Sequence, residues 1–165
     1  MDCVLLTHAH IDHSGYLPRL VREGFRGPVY CTSATAELTR ILLLDSAKLQ
    51  EEEAAYAQKK GYSKHEKPEP LYRVEDVEKT LPLLQPYPFQ QAVDIGPGAK
   101  ITFYQAGHIL GAASIKLVVR GEQQEKKIVF SGDLGRFHDP VLYPPAWCLR
   151  RHPVFRGHVW QSPRP

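Results

Sequence analysis

The feature that most constrains this chain is a cluster of three histidines and an aspartate near its start. The apolar segment VLL runs into THAHIDH, which holds His8, His10, Asp12 and His13. Imidazole nitrogens and carboxylate oxygens are the usual non-thiolate ligands of zinc. Side chains two positions apart in extended backbone point to the same side, so His8 and His10 can bind one ion. A histidine-rich polar loop is the simpler alternative, but it does not explain why the cluster directly follows a strand.

Two further candidate ligands also follow predicted strands. His108 comes after ITFYQAG, and Asp133 comes after KIVFSG. Each residue alone is more typical of a structural polar group or a turn, but strand ends are where α/β folds place their active-site loops. We therefore expect one metal site, with a second ion held by the Asp-His pair of the cluster and an aspartate between the ions. The six residues expected to converge are His8, His10, Asp12, His13, His108 and Asp133.

The helices are predicted from apolar residues that recur at helical spacing. Ser14 is the expected cap of a helix over GYLPRLVREGF. A longer helix is expected to begin after a cap at Thr32 or Ser33 and to end at Gly61. Asp45 and Ser46 leave open whether this segment forms one helix or two. A short helix is predicted over VEDVEKTLPLL, broken by Pro82.

The strands are predicted from short apolar runs and from a period of two. DCVLL and VYC precede the long helix, whereas ITFYQAG, SIKLVVR and KIVFSGD follow it. In ITFYQAG and SIKLVVR, alternate apolar residues indicate strands with one buried face, and KIVFSGD is read as another buried strand. The segment GEQQEK between two of these strands predicts a hairpin turn. Helices and strands together predict an α/β fold.

Length and cysteine use narrow the class of protein. A chain of 165 residues is long enough for one domain with a real core. No apolar run approaches the roughly 20 residues that span a bilayer, and no signal peptide is visible. Three widely separated cysteines, Cys3, Cys31 and Cys148, form no CxxC pair and so predict a reducing compartment. We therefore expect a cytoplasmic protein with no membrane partner.

The net charge of +3 is unevenly distributed. From residue 140 onward the chain has four arginines and no acid, so residues 1–139 carry 17 basic and 18 acidic side chains, a net charge of −1. This part has no general attraction for nucleic acids, although a local basic patch remains open. Residues 140–165 are rich in proline, arginine and tryptophan without any helix or strand period. We predict a domain over 1–139 and an irregular, poorly ordered tail over 140–165.

Three motifs together resemble one protein family. HAHIDH resembles the second motif of the metallo-β-lactamase superfamily, and GHILGAAS and SGDLGR resemble its third and fourth motifs in one branch. That branch is the β-CASP nucleases, which process RNA or DNA. The resemblance covers residues 1–139 and implies a partial αββα sandwich with a two-zinc site between the sheets.

The resemblance also implies roles for individual residues. Asp12 and His13 are the implied catalytic residues, with Asp12 orienting the nucleophile or accepting its proton. The implied zinc ligands are His8, His10 and His108 on one ion, Asp12 and His13 on the other, and Asp133 bridging both.

The implied function is zinc-dependent hydrolysis of phosphodiester bonds in RNA, with single-stranded DNA as the other substrate. Two alternatives remain: a hydrolase of the same fold acting on a small ester or thioester, and a non-catalytic subunit of a nucleic-acid-processing complex. The chain begins at the family's second motif and stops before the β-CASP domain and a later zinc-binding histidine. It is therefore expected to be a fragment, weak or inactive as a nuclease when isolated.

Overall fold

A computed structural model describes residues 1–61, 68–121 and 124–146, together with the backbone of 154–155. Its helices are α1 (Ile11–Ser14), α2 (Leu17–Arg22), α3 (Ser33–Lys60) and α4 (Val74–Thr80), and a 3₁₀ turn follows over Leu81–Leu83. Its strands are β1 (Val4–Leu5), β2 (Val29–Thr32), β3 (Leu84–Tyr87), β4 (Ala92–Gly96), β5 (Ala99–Gln105), β6 (Ala113–Arg120), β7 (Glu125–Phe130) and β8 (Val154–Phe155).

The strands form two sheets with different connectivity. The first sheet is parallel, in the order β1-β2-β3, and its crossovers carry the helices. The second sheet has the order β4-β5-β6-β7-β8 and is antiparallel up to β7. Short hairpin connections suit antiparallel neighbours, whereas parallel neighbours need a longer crossover. The predicted hairpin after β6 is confirmed by the pairing of Arg120 with Glu125, although its residues 122–123 lie outside the described part.

Alternation along the strands explains how the layers pack. In β2, Tyr30 faces the second sheet and packs with Ile101 and Phe103, whereas its neighbours Val29 and Cys31 face the helices. Strand β2 therefore has apolar residues on both faces, as expected of a parallel sheet covered on both sides. A helix layer, the parallel sheet and the antiparallel sheet follow in that order. This α/β arrangement confirms the predicted fold class.

Helix α3 is a single helix of 28 residues. The Thr32 hydroxyl accepts a hydrogen bond from a backbone amide of the first turn, and Gly61 ends the helix in the left-handed conformation, with φ 65°. Both predicted ends are confirmed. The helix continues through Asp45 and Ser46 because its buried stripe does not break there. Four residues at a spacing of four form that stripe: Thr35, Thr39, Leu43 and Ala47.

The predicted cap at Ser14 is wrong. Ser14 is the last residue of α1, and α2 begins only at Leu17, after Tyr16 at the N-cap position. The Ser14 hydroxyl instead lies 2.9 Å from the Ala9 carbonyl oxygen and 3.0 Å from that of His10. A serine can bond backward to a carbonyl as readily as it caps a following helix, and here the backward bond is formed.

Two strands between α4 and β5 do not follow the sequence-based expectation. The helix predicted over VEDVEKTLPLL ends at Thr80, and Leu84 already belongs to β3. Strand β3 contains Pro86, which lacks an amide hydrogen, but β3 lies at the edge of its sheet, where proline is tolerated. Strand β4 alternates in burial, with Val93 buried and Ile95 partly buried, but these two apolar residues alone carry the alternation.

The tail prediction largely concerns residues outside the described part. Residues 140–146 contain neither helix nor strand, and the two residues of β8 pair in parallel with Val129 and Phe130 of β7. Residues 147–153 and 156–165 are not described. Among the described helices, none combines the length and the apolar composition that crossing a bilayer requires.

A conservative change in the core should lower stability by a small, measurable amount. Ile101 is fully buried between the sheets, whereas Ile41 on α3 is 62% exposed. We expect Ile101→Val to lower the free energy of unfolding by about 1 kcal/mol, because it leaves a methyl-sized gap. The matched variant Ile41→Val should change it by less than about 0.5 kcal/mol. Urea unfolding of both variants is the measurement, and equal effects would contradict the described core.

Candidate metal centre

The first four candidate ligands lie where β1 passes into α1. His8 is three residues beyond β1, His10 is the N-cap residue of α1, and Asp12 and His13 belong to the helix itself. The chain is thus extended at the two histidines that are two apart and helical at the Asp-His pair. The backward bonds of Ser14 fix this change of direction, so the two pairs approach a common point from different sides.

The other two candidates come from the second sheet. His108 lies in the loop after β5, and Asp133 lies in the loop after β7. The Ala113 amide donates to the Thr7 carbonyl at 2.9 Å, which joins the start of β6 to the segment that carries His8. Gly132 has φ 57°, and a Cβ there would lie 2.9 Å from the Cβ of Thr7. Glycine is therefore needed for the Asp133 loop to approach the first sheet.

Four donors meet at one point. His10 Nδ1 lies 3.2 Å from His8 Nε2 and 3.2 Å from His108 Nε2. Asp133 Oδ2 lies 3.6 Å from His108 Nε2 and 3.9 Å from His8 Nε2. One ligand atom from each of these residues lies within 4.8 Å of all the others. Three imidazoles from two sheets and one carboxylate could therefore hold a single metal ion.

A second group of donors adjoins the first. His13 Nε2 lies 3.6 Å from Asp12 Oδ2 and 3.6 Å from Asp133 Oδ1. The two carboxylate oxygens of Asp133 thus face different groups: Oδ2 faces His8 and His108, and Oδ1 faces His13. The ring centroids of His8 and His13 are 4.1 Å apart, so the two groups are in direct contact. This arrangement could hold a second ion beside the first.

His8 is the most buried member, with a side chain that is 1% exposed. Burial, and next the neighbouring His13, lower its pKa to about 4, against the opposing effect of Asp133. His8 is therefore a neutral imidazole near neutral pH, which is the form that binds metals. Its Nδ1 lies 3.1 Å from the Thr7 hydroxyl, leaving Nε2 toward the cluster.

All six predicted residues are brought together, and Thr7 is the neighbour that the sequence analysis did not identify. A hydroxyl next to a predicted ligand histidine is a usable signal, since such histidines normally bond a second group through their other nitrogen. Among the remaining histidines, His138 is exposed and is not one of the four donors that meet within 4.8 Å. His65, His152 and His158 lie outside the described residues.

Comparison with known families decides the classification. A family model described as a metallo-beta-lactamase superfamily domain matches residues 1–150. The chain belongs to the metallo-beta-lactamase superfamily. The match covers all six clustered residues and both sheets up to β7, so the superfamily assignment and the observed fold concern the same part of the chain.

Relatives within the superfamily carry names from RNA metabolism. The chain is 40% identical to Ribonuclease TTHA0252 of Thermus thermophilus, over 88% of this chain and 29% of that protein. It is 37% identical to Transcription termination factor FttA of Methanothermobacter thermautotrophicus, over 96% of this chain and 23% of that protein. These matches support the β-CASP branch. The chain spans less than a third of either relative.

Solved structures of the superfamily confirm the fold. A B3 metallo-beta-lactamase with an active site glutamic acid superimposes with a TM-score of 0.50 and 21% identity, over 85% of this chain and 47% of that chain. MEM-A1, a subclass B3 enzyme from a soil metagenome library, gives a TM-score of 0.50 and 19% identity, over 87% of this chain and 49% of that chain. At these identities the likeness concerns the fold alone.

Proposed function

We propose that this chain carries a two-zinc centre that hydrolyses phosphodiester bonds of RNA. The observation that supports it most is the meeting of three imidazoles and a carboxylate within 4.8 Å, in a chain 40% identical to a protein named a ribonuclease. Three-histidine sites are typical of zinc that takes part in catalysis, because they leave a position open for water or substrate. His8, His10 and His108 are the proposed ligands of the first ion.

Two of the donor spacings match those around a tetrahedral ion, whereas Asp133 Oδ2 lies farther out, at 3.6 and 3.9 Å from His108 Nε2 and His8 Nε2. Zinc–nitrogen bonds of about 2.0–2.1 Å at tetrahedral angles place neighbouring nitrogens about 3.3–3.4 Å apart. The two nitrogen pairs that involve His10 are both separated by 3.2 Å. The ligand set contains no cysteine, and the buried Cys31 belongs to the apolar core between β2 and the helices. Nitrogen and oxygen donors alone therefore define the proposed site.

The second ion is proposed to lie against Asp12, His13 and Asp133. Asp133 Oδ1 and Asp12 Oδ2 are each 3.6 Å from His13 Nε2, so both carboxylates flank the same imidazole. The two oxygens of Asp133 face the two donor groups separately, which suits a bridging ligand. Three carboxyl and imidazole groups leave room for further ligands from solvent or substrate.

The solvent exposure of His8 and Asp12 indicates different roles for these two residues. When bound, a zinc pair supplies a hydroxide nucleophile near neutral pH and neutralises charge on the phosphate oxygens. His8 is buried and neutral, so it holds position and does not exchange protons. The Asp12 side chain is 62% exposed and remains within reach of solvent and substrate. We assign to Asp12 the orientation of the attacking water and the acceptance of its proton. His13, whose Nε2 lies 3.6 Å from Asp12 Oδ2, is assigned to binding the second ion beside Asp12.

RNA is the proposed substrate because of the relatives, not because of the charge of this chain. Residues 1–139 have a net charge of −1, so general electrostatic attraction contributes little. The named relatives act in RNA cleavage and in transcription termination by their printed names. Single-stranded DNA is the competing substrate, since the hydrolysed bond is the same. A cytoplasmic location is part of the same proposal.

The test combines metal analysis with a nuclease assay on the whole chain. We expect two zinc ions per chain after reconstitution, and slow cleavage of a single-stranded RNA that is lost with a chelator and restored by zinc, because the isolated chain is expected to be a weak nuclease. Single-stranded DNA of the same sequence and a small thioester are tested in parallel. Preferential cleavage of either alternative would contradict the proposed substrate.

The metal measurement separates the remaining possibilities. Zinc content well below one ion per chain, in folded protein, would overturn the proposed centre. Two bound ions without cleavage of any substrate would overturn catalysis by this chain and favour the non-catalytic subunit. Folding is checked independently by circular dichroism, so that a low zinc content is not caused by unfolded material.

A further inference from the structure

Two buried threonines at the start of α3 contact the loop that carries His108. The Thr32 hydroxyl lies 2.7 Å from the Gly111 carbonyl oxygen, and the Thr35 hydroxyl lies 2.9 Å from the same oxygen. These contacts join positions 79 and 76 residues apart in the chain. They link the first sheet and its long helix to the second sheet close to the proposed metal centre.

The contact is buried and closely packed. Thr32 is 2% exposed and Thr35 is fully buried. A Cβ on Gly111 would lie 2.5 Å from the backbone nitrogen of Thr35, so only glycine allows this approach. The Gly111 carbonyl has two lone pairs and can accept from both hydroxyls. The two hydroxyl oxygens also lie 2.9 Å apart, so Thr32 can donate to Thr35 while Thr35 donates to Gly111. A buried carbonyl that loses such a donor is costly, since water cannot replace it.

Backbone hydrogen bonds close the loop that carries His108 on the side that follows this residue. The loop is closed at its base by the Ala106 amide, which donates to the Ala112 carbonyl at 2.9 Å, and internally by the Ala112 amide, which donates to the Ile109 carbonyl at 3.0 Å. These bonds hold the loop to itself. Within the part of the chain that the structure describes, the Thr32 and Thr35 hydroxyls hold this loop to the start of α3 through the Gly111 carbonyl.

We propose that Thr35, together with Thr32, is a positioning residue for His108. The two hydroxyls set the distance between the His108 loop and the segment that carries His8 and His10, and thereby the 3.2 Å approach of His108 Nε2 to His10 Nδ1. This inference rests on the proposed metal centre. Thr35 touches no donor atom itself and acts only through the Gly111 backbone.

The test compares zinc affinity among variants of α3, measured by competition with a chelator and normalised to folded protein. We expect Thr35→Val to weaken zinc binding about tenfold, within the range found when groups that orient metal ligands are lost. Thr35→Ser keeps the hydroxyl and should restore the affinity of the unmodified chain. Thr35→Ala replaces Thr35→Val if the valine variant does not fold.

Thr39 supplies the matched control. It lies one helical turn further along α3 and is fully buried, and its hydroxyl has no hydrogen-bond partner within the described residues. Thr39→Val should therefore leave zinc affinity unchanged. Unchanged affinity in Thr35→Val, or an equal loss in Thr35→Ser or in Thr39→Val, would overturn the positioning role. Absence of zinc binding in the unmodified chain would instead overturn the metal centre itself.

Discussion

Replacing His10 by alanine is expected to weaken zinc binding by more than about 100-fold, beyond the range found for groups that only orient a ligand. His10 Nδ1 is the atom closest to two other donors, at 3.2 Å from both His8 Nε2 and His108 Nε2. Its loss leaves the remaining nitrogens without their shared neighbour. Elemental analysis and chelator competition on purified protein measure the effect.

The same variant should lose stability only when zinc is present. A hundredfold loss of affinity removes up to about 2.7 kcal/mol of the stabilisation that a ligand of the folded state provides. The exposed His138, five residues beyond Asp133, is the matched control, and His138→Ala should change neither zinc content nor stability. Unchanged zinc content in His10→Ala would contradict its assignment as a ligand.

Replacing Asp12 by asparagine should lower the rate of RNA cleavage by about 10²–10⁴-fold, the usual contribution of a positioned proton acceptor. Asparagine keeps the shape of the side chain but cannot accept the proton of the attacking water. Asp12 is not one of the four donors that meet within 4.8 Å. The first zinc should therefore remain bound. Single-turnover rates together with zinc analysis separate a loss of proton acceptance from a loss of bound metal.

Asp94 provides the control for that experiment. Its carboxylate lies 3.4 Å from Lys100 Nζ in an exposed ion pair on the second sheet, away from the cluster. Such pairs contribute at most about 1 kcal/mol, so Asp94→Asn should leave cleavage unchanged. A cleavage rate in Asp12→Asn equal to that of the unmodified chain would remove Asp12 from the proposed mechanism.

The meeting of the ligand candidates could be predicted because the signal is local at each of them. His108 follows a run of alternating apolar residues and Asp133 follows a short continuous apolar run. Ligand residues at strand ends tend to lie at one edge of a fold. The sequence does not show which atoms face each other. That the two oxygens of Asp133 face different donor groups depends on the loop after Gly132, whose approach to Thr7 is a tertiary contact.

Strands β3 and β4 could not be predicted from the sequence, and both for the same physical reason. Strand β3 is four residues long and contains Pro86, and the alternation in β4 consists of Val93 and Ile95 alone, so neither carries a period long enough to identify a strand. Their pairing is decided by neighbours far along the chain. The cap assigned to Ser14 failed for a related reason, since its hydroxyl can bond either forward or backward and local sequence does not choose between them.

The division of the donors between two sheets has a consequence for how the chain folds. His10 and His108 are 98 positions apart in the chain. Their contact joins the segment after β1 of the first sheet to the loop after β5 of the second sheet. Contacts between distant segments form late, because the entropy of closing a long loop must be overcome before they stabilise anything. Each sheet can begin to assemble without the other, but the complete donor set exists only after they have docked. Uptake of the ion should therefore be a late kinetic event, slower than the formation of α3.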